Sequence, residues 1–131
     1  MTLRTILAAG AVCLLTQIAS AADLIVIAHP DAKITGADVQ DIFLGAKQFA
    51  GSLKLTPVDN GPAQEQFLKK ALQIDATKYN SVWTKKSFRE GLNPPPVKSG
   101  DLEVIDFVRK TPGAVGYVTS PADGVTVVNK Y

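Results

Sequence analysis

"LTPVDNGPAQEQFLKKAL", residues 55–72, reads as the end of a β-strand that passes through a polar turn directly into an amphipathic helix. The strand is expected from Leu53 to Val58. Phe67, Leu68, Ala71 and Leu72 then recur at the spacing of one buried helical stripe. A strand, turn and helix start in this order expose backbone N–H groups at the positive end of a helix dipole, which is the geometry of an anion site. The side chains do not match that geometry, since Pro57, Gly61, Pro62 and Ala63 stand where hydroxyl or basic donors would be useful.

On the N-terminal side, "DLIVIAH" (23–29) is a continuous apolar, β-branched run, the pattern of a central strand covered on both faces. Thr35 lies three residues before Asp38, which predicts a capped helix start, and Val39, Ile42 and Phe43 share a face before Gly45 closes the segment. On the C-terminal side, Asp75 is placed to cap a helix in which Tyr79, Val82 and Trp83 align. "GLNPPPVKSG" (91–100) predicts an extended loop, because consecutive prolines fit neither a helix nor a central strand. Leu102, Ile105 and Val108 mark a further helix stopped by Pro112 and Gly113. "AVGYV" and "VTVV", joined by the turn "SPADG", complete the chain as two strands, expected to lie antiparallel. Strands separated by helices imply a layered α/β domain.

The first 21 residues read as a cleaved secretory signal. Arg4 supplies a basic start, "ILAAGAVCLL" an apolar stretch, and Ala19-Ser20-Ala21 a small-x-small cleavage site. The apolar run is about ten residues, short of the roughly twenty needed to span a bilayer. Val12 before Cys13 does not suit lipidation. The mature domain would run from Ala22 to Tyr131 as one periplasmic unit with its own core. It would keep 13 basic against 12 acidic side chains and no cysteine. Disulfides, thiolate metal sites and a cysteine nucleophile are therefore excluded, and near-neutral charge gives no footing for a nucleic acid. Lys69, Lys70, Lys85, Lys86 and Arg89 read as solvated helix faces.

Three segments, "ITGADVQDIFLGAKQF", "LTPVDNGPAQEQFLKKAL" and "VIDFVRKTPGAVGYVTS", in this order resemble the second lobe of periplasmic phosphate-binding proteins, a type II solute-binding family serving ABC transporters. The resemblance rests on Ile42-Phe43-Leu44-Gly45, the Asp59 turn and Pro112-Gly113-Ala114-Val115-Gly116-Tyr117. It implies an α/β fold with three layers, a single lobe whose mixed sheet is flanked by helices, and a short single-lobe member of the superfamily. It also places Asp59 at the family's ligand-facing aspartate, Pro57 at its arginine, and Gly61 and Ala63 at its serine and threonine. An arginine and two hydroxyls are thus missing, each of which would contribute about 1.5–3 kcal/mol toward a charged oxygen.

The candidate ligand-binding residues are Asp59, Asn60, Gly61, Ala63 and Gln64 at the turn, with His29 at a strand end and Tyr117 on the glycine-bearing strand, all expected along one rim. The bland alternative for Asp59 and Asn60 is that one of them caps the helix. His29, the only histidine, has no cysteine or carboxylate cluster with which to ligate a metal. Tyr79, Trp83 and Phe88 read as core. No catalytic residue, cofactor or metal is expected. The resulting expectation is a solute-binding-like protein taking a small phosphate-like anion weakly. Its partners would be a membrane transporter or sensor and a second copy of itself, as a homodimer. The alternative is a non-catalytic interaction or sensory module that no longer binds the anion.

Overall fold

A computed structural model describes residues 24–131. The signal and cleavage point expected over residues 1–21 lie outside the described residues. The strands are β1 (Ile25–Ala28), β2 (Phe49–Ala50), β3 (Leu53–Lys54), β4 (Thr56–Pro57), β5 (Asp59–Asn60), β6 (Val97–Lys98), β7 (Ala114–Val118) and β8 (Thr126–Lys130). The helices are α1 (Val39–Phe43), α2 (Gln64–Phe67), α3 (Ala76–Glu90) and α4 (Asp101–Lys110). A 3-10 turn precedes each of the first two, and a π turn, Leu68–Leu72, prolongs α2.

The main sheet has the order β4-β7-β1-β8. Every residue of β1 is buried, as its unbroken apolar run predicts. Its side chains alternate between two cores: Leu24, Val26 and Ala28 face α1, α2 and α3, whereas Ile25 and Ile27 face α4. Strand β7 divides in the same way, with Val115 and Tyr117 on the first side and Ala114 and Val118 on the second. The protein is therefore a three-layer α/β domain, a mixed sheet between three helices and one. Gly116 makes the single-helix layer possible, since a Cβ there would meet Val104 Cγ1 at 2.6 Å.

Local signals are realised as expected at the helix ends. The Thr35 N–H donates to Asp38 Oδ2 at 2.9 Å. Asp75 Oδ1 accepts the Lys78 N–H at 2.7 Å and opens α3. Asp75→Ala is expected to cost about 1 kcal/mol, read as a lower urea midpoint at unchanged slope. Gly45 ends α1 at φ 75°, and a side chain there would press on the Trp83 ring.

Three expectations are corrected. The strand expected from Leu53 to Val58 is two short pieces, and a third follows at Asp59–Asn60. Strand β3 pairs with β2 as a hairpin, β4 runs parallel to β7, and β5 leaves to pair with β6. Pro57 has no N–H to donate, which suits β4 to the sheet edge. The proline-rich segment is not only a loop, because it ends in β6, and the Pro96 carbonyl accepts the Asp59 N–H at 2.8 Å. Proline loses its donor but keeps its acceptor. The last two strands do not pair with each other: β1 lies between β7 and β8, antiparallel to both, so these two are parallel. The connection between them crosses back on the α4 side, where Arg109 Nε donates to the Asp123 carbonyl at 2.7 Å.

Candidate functional site

Asp59 leaves the carboxyl end of β4 and points inward. It is 1% exposed, and its neighbour Asn60 is 0% exposed. The Tyr117 hydroxyl donates to Asp59 Oδ1 and the Tyr79 hydroxyl to Oδ2, each at 2.8 Å. The Gln64 side chain adds a further hydrogen bond from the helix start. Burial raises the carboxyl above its ordinary range, although the bonds from Tyr117, Tyr79 and Gln64 work in the opposite direction. Burial, with the Asp59 charge beside them, also holds both phenols well above their usual range, so they remain donors. Tyr117 is fixed by stacking on Phe67 at 3.9 Å and 8°, and Phe43 meets Phe67 edge-on at 4.7 Å.

Asn60 reaches the other way. Its Nδ2 donates to Asp101 Oδ1 at 2.8 Å and to the Tyr117 carbonyl at 3.0 Å. Asp101 in turn accepts the Thr119 hydroxyl at 2.8 Å, so the turn, the start of α4 and the end of β7 are tied together. Two acceptors fix the amide orientation, and Asn60 Oδ1 is left buried with no donor among the described residues. Asn60 takes the N-cap position before the 3-10 turn, as the bland alternative expects, but its side chain makes no capping bond. Asn60 binds only distant elements, and Asp59 binds Tyr79 and Tyr117 besides Gln64.

The rest of the expected rim separates. Gly61 and Pro62 are exposed, Gln64 is half-buried and Ala63 is buried. The Gln64 N–H closes the 3-10 turn on the Gly61 carbonyl and does not face outward. Tyr117 is fully buried. Because β1 is antiparallel to β7, and β7 is parallel to β4, the carboxyl end of β1 lies at the opposite edge of the sheet from Asp59. The His29 N–H pairs with the Ala114 carbonyl, three residues before Tyr117 along β7, a separation of about 10 Å. His29 Nδ1 accepts the Asp31 N–H at 3.1 Å and shapes its own loop. A single rim holding His29, Asp59 and Tyr117 is therefore absent. Tyr79 and Trp83 are core residues as expected, but Phe88 is 91% exposed on the outer face of α3.

Sequence reasoning missed Tyr79, Asp101 and Thr119 as members of this network. Tyr79 has a recognisable helical face, but nothing local shows that its hydroxyl meets a carboxylate 20 positions away. Asp101 opens α4, where an acid is ordinary.

No family model matches the chain, and no curated protein matches it. Among solved structures, the crystal structure of PstS from Borrelia burgdorferi is similar, with a TM-score of 0.51 and 21% identity. The match covers 74% of this chain and 41% of that one, so the chain spans less than half of its neighbour. The likeness supports the fold alone, a distantly PstS-like single-lobe α/β fold with a mixed sheet flanked by helices.

Proposed function

We propose that this protein is an exported, non-catalytic recognition domain built on one solute-binding-type lobe, in which the carboxylate at the ligand-facing position has become an internal strut. The PstS-like fold and the resemblance to periplasmic phosphate-binding proteins support the binding class. The signal-like segment at residues 1–21 supports export to the periplasm, where a membrane transporter, a sensor or a second copy would be the partner. The observation that carries the reading is Asp59, 1% exposed with both oxygens held by tyrosines. A ligand at the turn would have to displace those bonds and would find no arginine at Pro57.

A second reading, weak binding of a small protonated anion, draws on the buried Asn60 Oδ1, which lacks a donor beside the exposed Gly61 and Pro62. Titration calorimetry with inorganic phosphate and sulfate separates the two. The first reading expects no saturation at micromolar concentrations. Micromolar saturation by phosphate, abolished in Asn60→Ala, would overturn it in favour of the second.

A further inference from the structure

A cavity of about 370 Å³ opens alongside β4, between α1, the β2–β3 hairpin and the proline-rich segment. Ile42, Leu55 and Trp83 form its buried floor, and Leu92, Pro94 and Pro96 supply an accessible apolar wall. Its size falls within the range of small-molecule sites. The walls are fixed before any ligand arrives. Trp83 Nε1 donates to the Phe43 carbonyl at 3.0 Å, and the ring edge lies against Gly45, where a Cβ would stand 2.9 Å from it. Proline rings add rigidity without ordering cost.

The charged residues that line this cavity are both basic. Lys47 and Lys54 line it, with the polar side chains of Gln48, Thr56 and Asn93, and no carboxylate is among its lining residues. Lys47 lies 3.8 Å from Asp38, which is outside the lining, and no carboxylate among the described residues is within ion-pair distance of Lys54. A bare inorganic anion would leave the apolar surface of Leu92, Pro94 and Pro96 facing water, whereas a neutral apolar molecule would leave the lysines unused. The two features together select a ligand with an apolar body and a negative end.

We propose that this cavity binds a small organic carboxylate, its apolar body against Leu92 and the prolines beside Trp83 and its charge toward Lys47 and Lys54. The lysines keep contact with water, so each contributes modestly and the affinity is set jointly with the apolar surface. The inference does not depend on the fate of the phosphate-type turn, none of whose residues from Asp59 to Gln64 lines the cavity.

Trp83 is the only tryptophan in the chain, so its fluorescence reports this cavity directly. The probes are cyclohexanecarboxylate, cyclohexylmethanol and inorganic phosphate. The expected result is a saturable change with the carboxylate below about 10 mM, and none with the alcohol or with phosphate. In the double variant Lys47→Gln/Lys54→Gln the affinity should fall about tenfold or more, with the thermal midpoint of the free protein unchanged. No saturation by the carboxylate, equal saturation by the alcohol or by phosphate, or undiminished affinity in the double variant would each overturn the proposal.

Discussion

Gly113→Ala is expected to be the most damaging small substitution in the protein, costing more than about 3 kcal/mol. Gly113 has φ +85°, a backbone conformation that L side chains rarely adopt, and a Cβ there would be driven into the Lys54 carbonyl oxygen. That oxygen is main chain, so no rotamer change relieves the contact. The Gly113 carbonyl also accepts the Thr56 N–H at 2.8 Å, the bond that starts the β4–β7 pairing. Relief of the clash must therefore loosen the edge of the main sheet. Gly51→Ala provides the comparison, with a similar φ of +62° and nothing within 4 Å of the added carbon. It should cost only about 1 kcal/mol. A domain of this size loses about 4–8 °C of melting temperature per kcal/mol, so calorimetric midpoints should differ clearly between the two variants. Equal midpoints would show that backbone conformation alone matters and that the approach of Lys54 does not.

Asp59 should reveal itself through pH. Its carboxyl is held above the ordinary range by burial, so the folded state retains a proton that the unfolded chain releases. This contribution to stability is fully present below the ordinary value of 3.8 and is lost as pH rises through the folded value. Asp59→Asn keeps the shape and removes the titration. The urea stability of the natural protein minus that of Asp59→Asn should therefore increase on acidification from neutral pH and flatten below the ordinary carboxyl range. A difference that shrinks on acidification would mean that the tyrosine hydrogen bonds outweigh desolvation. Asp59→Ala is a different experiment, because it leaves the Tyr79 and Tyr117 hydroxyls buried without their acceptor. Its cost should be about 3 kcal/mol at neutral pH, and the pH dependence should disappear with it.

These two expectations mark how far the sequence could be read. Gly113 was visible as a helix stop, because a glycine after a proline at the end of an apolar stripe has a local meaning. Its contact with Lys54 was not visible, since the two are joined only through the parallel pairing of β4 and β7. Asp59 was visible as a turn residue and, through the resemblance, as a ligand-facing carboxylate. What it touches was not, because Tyr117 is 58 positions away.

The sequence by itself determined the central apolar strand at Ile25–Ala28, the helix starts at Thr35 and Asp75, and the stops at Gly45 and Gly113. Each depends on side-chain periodicity or a backbone preference acting over a few residues. The tertiary structure alone decided that residues 53–60 divide among three partners and that β1 separates β7 from β8. It also decided that Asp59 faces tyrosines while Lys47 and Lys54 line a cavity beside Trp83. Those outcomes follow from which surfaces can be buried together, a choice made by the whole chain at once and written in no single stretch of it.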